Sequence, residues 1–530
     1  MQTQVLIIGG GVNGTGLARD LALRGVACVV AEKQDINAGA SGGNHGLLHS
    51  GARYIASDPA AARECRLENR RLKQLAAHCI EDTGGLFVAV AGDDERYIAE
   101  FPDRCAQCDI AARPLSPHEA RAMEPALAGN VIAAFAVEDA TVDPFKLALE
   151  NIASARQSGA RLLRHHQVVG FDIHAGRIQA AHLRDALTGR TRRVAAELVV
   201  NAAGAWAGRV AALAGAAVAM RYSKGSLLVT QSRLAQRVLN RLRPPTDGDI
   251  LAPGGTVSIL GTTSERVASP DGIHPEIHEL DAIIAQGAAM VPELATTRYI
   301  RAYCGVRPLL GSADSPDDHN DRNASRGFAL IDHERQPEKL CNLITITGGK
   351  LTTYRLMAEK TADLVCKKLA IESPCRTRVE PLPDTAEARW TEPGLAPRLW
   401  LRRNDPDDRL LCECEMVPES AAEEIVQGIR RQGGRPSLTA IGLRSRIGKG
   451  PCQGTFCSQR VTAWLCDRKQ LRGQEGLAEL RAFLRERWRG QQPLLWDEPL
   501  AQAELLEAMH CGFFGLELGA PPPAQPPGDP

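Results

Sequence analysis

Four cysteines stand in two close pairs, Cys412-Glu413-Cys414 and Cys452-Gln453-Gly454-Thr455-Phe456-Cys457. Four thiolates at such spacing can wrap an iron–sulfur cluster or a zinc ion. Zinc sites more often use two to four intervening residues, so the first pair favours a cluster over zinc, with plain core cysteines as the third reading. Gly448-Lys449-Gly450 frees the backbone just before the second pair. At the other end of the chain Gly9, Gly11 and Gly14 fit the G-x-G-x-x-G spacing, and Glu32, followed by Lys33, comes about twenty residues after it. Such glycines allow a tight turn, close backbone approach to a pyrophosphate and close helix–strand packing, while the acid bonds ribose hydroxyls. The spacing predicts a dinucleotide without choosing between FAD and NAD.

These groups need elements to hold them. Val5-Leu6-Ile7-Ile8 reads as a buried parallel strand, the residues from Val12 as a helix, and Val29-Val30-Ala31 as the next strand. Phosphate oxygens would then meet a helix N-terminus. From Asp35 to Tyr54 small residues, among them Ser41, Gly42 and Gly46, alternate with His45, His49 and Arg53. Backbone there can come close to a flat ligand. A strand ending in Ala202-Ala203-Gly204 and another ending in Gly348-Gly349-Lys350-Leu351-Thr352 read as further close approaches from the same sheet. Short apolar runs elsewhere, such as Leu86 to Val90, Ser226 to Thr230 and Phe328 to Ile331, read as a second, mostly antiparallel region.

The expected fold class is therefore α/β (α+β). Residues 1–84, 143–219 and 335–370 make a discontinuous, Rossmann-like nucleotide domain, and 85–142 with 220–334 make an inserted β domain. Residues 371–408, rich in Pro, Arg and Glu and without periodicity, read as a linker; 409–519 read as a small helical domain, and 520–530 as a disordered Pro-rich tail. Cys105-Ala106-Gln107-Cys108, with no second pair nearby, is a poor metal site.

The 530 residues suffice for roughly two to four domains. A formal net charge of zero gives no electrostatic case for nucleic acid. The first strand starts within a few residues of Met1, leaving no room for a secretory signal, and no apolar run reaches the ~18 residues of a membrane span. Without export, the 15 cysteines imply a reducing compartment, with most of them inert buried thiols.

Taken together, GGGVNGTGLARD (9–20), HSGARY (49–54), AAGAWA (202–207), SKGS (223–226), GVRPLL (305–310) and ITGGKLTTYR (346–355) resemble the FAD-dependent glycerol-3-phosphate dehydrogenases, within the D-amino-acid-oxidase-like flavoproteins. Cys412, Cys414, Cys452 and Cys457 are similar to the C-x-C and C-Q-G-x-x-C pairs of the anaerobic branch of that family, whose helical domain resembles bacterioferritin-associated ferredoxin. The resemblance implies oxidation of sn-glycerol 3-phosphate to dihydroxyacetone phosphate, with hydride passing to FAD. It also implies a [2Fe-2S] cluster, a second flavoprotein subunit that would carry FMN, and a membrane-anchoring iron–sulfur subunit. Quinone would receive the electrons indirectly in anaerobic respiration, at the cytoplasmic face of the inner membrane, where the chain would be peripheral. Gly9, Gly11, Gly14, Glu32, Lys33, Ser41, Gly42, His45, Gly46, Ala203, Gly204, Gly348, Gly349, Leu351 and Thr352 would hold the flavin.

A phosphate monoester suits guanidinium forks and ammonium groups. Arg53, Arg307, Arg326 and Lys350 match cationic substrate positions of the family, with Tyr54 beside the first. One departure matters. Aerobic relatives carry His after the Lys-Gly-Ser seen here as Lys224-Gly225-Ser226, whereas this chain has Leu227. The base is then elsewhere, with His49 the first candidate, or a water polarised by an arginine serves, Arg307 being the catalytic arginine. Two other readings share the fold: an amine or 2-hydroxy-acid oxidase, and a flavin and iron–sulfur subunit without catalysis.

Overall fold

The computed structural model describes residues 1–311 and 327–516. It divides into two compact units, 1–395 and 396 onward.

The first unit is built on the strand Gln2–Ile8, which is paired in parallel with Cys28–Ala31 on one side and Thr191–Asn201 on the other. The parallel set continues through Arg161–Leu163 at one edge and Leu343–Gly348 at the other. Alternate side chains explain the unbroken apolar run. Val5 and Ile7 pack with Leu17, Leu21, Ile152 and Val365 beneath three helices, Val12–Leu23, Pro144–Gln157 and Tyr354–Lys368. Leu6 and Ile8 face the opposite cluster with Val168, Leu183 and Val194. Both faces of the sheet are covered, so no polar alternation is needed. A hairpin, His166–His174 with Arg177–Asp185, pairs antiparallel with the first half of Thr191–Asn201.

The second sheet has nine strands and takes its members from two separated stretches. Gly85–Val90, Arg113–Leu115 and Val131–Val137 come from the first. Six strands from Met220–Thr230 to Tyr299–Leu310 come from the other. Its ladders are antiparallel except where Val238–Arg241 runs parallel to Gly85–Val90. Helix Ile277–Met290 lies in the later stretch.

Two stretches depart from expectation. Phe328–Asp332, read as part of the inserted β domain, instead pairs with Leu343–Gly348 in the nucleotide-side sheet. Residues 371–395, read as linker, are packed into the first unit. Arg19 donates to the Glu380 and Pro381 carbonyls, Glu150 accepts from Thr385, and Trp390 is buried. Only the part from 396 on, including helix Leu395–Arg403, leads into the second unit. The tail expected to be disordered, 520–530, lies outside the described residues.

The second unit is helical, with a two-stranded ladder, Leu410–Cys412 on Val417–Pro418, at its start. Helices Glu419–Arg431, Leu438–Leu443, Cys457–Asp467 and Gly473–Gln491 follow, the second opened by Ser437, whose hydroxyl accepts from Ala440 N. A further helix, Asp497–Phe514, lies within 409–519, the stretch read as helical.

Candidate functional site

A cavity of about 630 Å³ opens in the first unit, lined by the ends of both sheets. Its floor is the first strand–helix turn. Gly9 sits at φ +116°, where a Cβ would come within 2.5 Å of the Ala202 carbonyl oxygen. A Cβ on Gly14 would run into the Gly9 carbonyl oxygen, so this glycine serves helix–strand contact and does not line the cavity. Gly11 lines it and opens the helix, while the Ser41 hydroxyl accepts from Val12 N at 3.0 Å. Ser41 therefore caps that helix from a loop 29 residues away.

Glu32 closes the second strand in the cavity wall, with its carboxylate accepting from Gly10 N at 2.6 Å and Gln34 N at 2.8 Å. Burial raises its pKa, against those two amides, which favour the ionised form. Lys33 lies over the Trp206 ring, 3.7 Å from its centre, and 3.9 Å from Asp271 Oδ1, with burial lowering its pKa. Ala203 and Gly204, the latter at φ +55°, line the same wall. Gly348, Gly349 and Leu351 line it from the last strand, and Gly349 at φ +72° leaves room for the Met357 thioether.

Gly42, Gly46 and Thr352 do not line the cavity. They hold the loop that does. Gly42 lets the loop pass the Phe145 ring, Gly46 approaches the Val142 carbonyl, and Thr352 Oγ1 accepts from His49 N at 3.0 Å. Leu47–Leu48 pairs with Ala140–Val142, which fixes the segment between His45 and His49.

That segment brings both imidazoles to the cavity, their ring centres 6.1 Å apart. His49 Nε2 is 3.2 Å from the Tyr54 hydroxyl. His45 Nδ1 accepts from Leu47 N at 3.1 Å, and burial, with Arg307 and Arg53 adding to it, pushes this imidazole down to about 3. His45 is thus a neutral ring. Lys350 stands 4.4 Å above the Tyr54 ring centre. Arg53, on the short 3₁₀ turn Ala52–Tyr54, donates to buried Asp249 at 3.2 Å. Arg307 projects from Tyr299–Leu310 and donates to Ser223 Oγ, the Thr263 carbonyl and the Thr262 hydroxyl.

The cavity therefore gathers His49, Arg53, Tyr54, Arg307 and Lys350 beside the glycine turn. Arg326 lies outside the described residues. Leu227 lines the cavity as a buried aliphatic group, and Lys224 turns to Glu279 at 2.8 Å and Glu265 at 3.2 Å. Four supports were not singled out from the sequence. Asp249 orients Arg53, and Gly225 makes room for the Arg307 guanidinium, which a Cβ there would meet at 2.5 Å. Gly305 lets Tyr299–Leu310 approach Gly43, and Tyr303 donates to the Asn44 carbonyl beside it. The SKGS and GVRPLL motifs contain Gly225 and Gly305; nothing marked Asp249 or Tyr303.

In the second unit the four cysteines meet. Cys412 Sγ is 3.8 Å from Cys414 Sγ, which is 3.4 Å from Cys452 Sγ, and Cys457 is hydrogen-bonded to both Cys412 and Cys452. Hydrogen bonds from neighbouring thiols pull Cys412 and Cys452 down, while Cys414 and Cys457 are pushed up. Amides of Glu415 and Gly448 face Cys412, and those of Gly454 and Phe456 face Cys452. A Cβ on Gly450 would come within 2.7 Å of Cys414 Sγ. The four thiols thus stand close together, with amides converging on two of them. Cys105 and Cys108, by contrast, pack in the apolar cluster of Phe101 and Phe135.

Comparison with known proteins adds to this geometry. A family model described as FAD dependent oxidoreductase matches residues 4–364. The chain is 40% identical to the A subunit of the anaerobic glycerol-3-phosphate dehydrogenase of Escherichia coli K12, with 97% of each chain covered. It is 38% identical to the A1 subunit of the enzyme of the same name from Haloferax volcanii, covering 97% of this chain and 91% of the relative. The solved glycerol-3-phosphate dehydrogenase of Bacillus halodurans, complexed with FAD, superimposes with a TM-score of 0.63 at 21% identity, covering 94% of this chain and 97% of that one. At that identity the likeness is one of fold.

Proposed function

The chain belongs to the FAD-dependent oxidoreductase family, and within it to the A subunits of the anaerobic glycerol-3-phosphate dehydrogenases; from that premise we propose that it oxidises sn-glycerol 3-phosphate to dihydroxyacetone phosphate with FAD. The observation that carries this reading is the convergence of Arg53, Arg307 and Lys350 with His49 and Tyr54 in the cavity that the glycine turn floors.

The residues fit the flavin on their own geometry: Gly9 and Gly14 occupy positions where a Cβ would collide with backbone, and Glu32 is held at the cavity wall by two amides. In this reading Gly9, Gly11 and the helix start receive the pyrophosphate, and Glu32 receives ribose hydroxyls. Lys33, Ser41, His45, Ala203, Gly204, Gly348, Gly349 and Leu351 shape the wall, with Gly14, Gly42, Gly46 and Thr352 behind it. When bound, FAD supplies a two-electron acceptor for the C2 hydride.

The protein's own groups do the rest. A phosphate monoester carries nearly two charges, which Arg53, Arg307 and Lys350 balance. Ser223, Thr262 and Asp249 fix the two guanidinium planes before substrate arrives, so little ordering remains to be done on binding. His49, oriented by Tyr54, accepts the C2 hydroxyl proton, and Arg307 steadies the developing negative charge on that oxygen. Leu227 excludes water where aerobic relatives place histidine.

Cys412, Cys414, Cys452 and Cys457 would hold a [2Fe-2S] cluster, which supplies one-electron chemistry; zinc is the lesser alternative. Electrons then leave for a second flavoprotein subunit, with FMN, and a membrane-anchoring iron–sulfur subunit, ending at quinone. Among the described residues no helix is long and apolar enough to cross a membrane, which accords with attachment through such partners at the cytoplasmic face. Turnover with an artificial acceptor tests the activity. The proposal expects sn-glycerol 3-phosphate to be consumed. Turnover of an amino or 2-hydroxy acid instead would assign an oxidase, and none with any of them a subunit without catalysis.

A further inference from the structure

We propose that His78, Glu150 and Asp384 form a binding site for a divalent metal cation, sharing no residue with the cavity or the thiol ring. Three separate parts of the first unit supply it. His78 sits on the 3₁₀ turn Ala77–Cys79, Glu150 in mid-helix Pro144–Gln157, and Asp384 in the segment packed against that helix. One donor atom from each lies within 4.8 Å of the other two.

The imidazole gives the independent sign of a ligand. His78 is hydrogen-bonded to the Pro383 backbone, whose carbonyl can only accept, so one ring nitrogen is a donor. Its Nε2 is buried with no hydrogen-bond partner among the described residues, and it lies 3.9 Å from Glu150 Oε1. Burial raises the Glu150 carboxyl to about 7, so the pair is bridged either by a proton on the carboxyl or, once Glu150 ionises and both groups face each other as acceptors, by a cation. A ring N–H on a backbone carbonyl is also the usual support of a metal-bound histidine. The Glu150 carboxylate is supported likewise, accepting from Thr385 N at 2.9 Å and Thr385 Oγ1 at 3.0 Å.

Tetrahedral donors about 2.1 Å from a metal stand ~3.4 Å apart, so His78 and Glu150 need close by only about half an ångström. Asp384 is largely exposed and swings in from the rim. Lys146 Nζ, now 3.8 Å from Asp384, keeps Glu392 at 4.0 Å as its partner. One imidazole and two carboxylates suit Mn²⁺, Fe²⁺ or Zn²⁺. The bound cation would tie 371–395 to the body of the unit, so its role is structural.

Mn²⁺ is the probe, because thiolates compete poorly for it. Titration of the full-length, flavin-loaded protein, with free Mn²⁺ followed by electron paramagnetic resonance, should show one bound ion per chain and a raised melting temperature. His78→Ala and Asp384→Asn should each weaken binding at least tenfold, and the exposed Asp384 makes the second variant safe for folding. No Mn²⁺ bound by the wild type, or equal binding by wild type and Asp384→Asn, would overturn the proposal and leave a proton on Glu150, donated to Nε2, as the group between the two.

Discussion

The cavity of the first unit draws its lining from several distant stretches, and much of that lining is backbone or a position that tolerates no Cβ. The thiol ring of the second unit draws on two short stretches, and four side chains make it. The difference decides how each site fails. If the ring holds the proposed metal, removing one of its four ligands should release it. In the cavity, under the proposed function, each cation would share the phosphate with the others, so single losses should be graded, while loss of the glycine turn should be severe.

That contrast can be broken by substitution. Gly14→Val should give the largest effect in the cavity, because its side chain meets the Gly9 carbonyl. The expected product retains iron and lacks the flavin band. Cys457→Ser should do the reverse, losing the metal while substrate still reduces the flavin; if both cofactors vanished together, the two sites would not be independent. Arg307→Ala removes charge-assisted hydrogen bonds that contribute about 1.5–3 kcal/mol each, so kcat/KM should fall about 10²–10³-fold with flavin content unchanged. Asp249→Asn leaves Arg53 in place but weakens its orientation, together with the Arg243 pair and the Thr246 bonds that the same carboxylate holds, and should raise KM about tenfold with kcat nearly kept. Smallest is Leu227→His, expected to shift kcat less than about threefold if His49 already accepts the proton. A large gain there would move the base to position 227.

The contrast also explains what could be read from the chain. Gly9, Gly11, Gly14 and the cysteine pairs were legible because their chemistry depends on local spacing. Arg53, Arg307 and Lys350 carried no local signal, and only the family motifs singled them out. Ser41 over Val12, Asp249 under Arg53 and Gly225 beside Arg307 are contacts between stretches far apart in sequence, to which periodicity is blind. Phe328–Asp332 looked like any apolar strand, and nothing in its residues says which sheet takes it. Residues 371–395 are held by side-chain and carbonyl contacts to Arg19 and Glu150 instead of by a helix or strand, so a stretch without periodicity read as a linker.

The central claim is that one cavity holds both the flavin and glycerol 3-phosphate. An anaerobic absorbance spectrum of the purified protein, before and after adding sn-glycerol 3-phosphate, tests it most directly. The flavin band near ~450 nm should bleach over a residual iron–sulfur envelope. A flavin band that stays unchanged with this substrate, yet bleaches with an amino or 2-hydroxy acid, would contradict it.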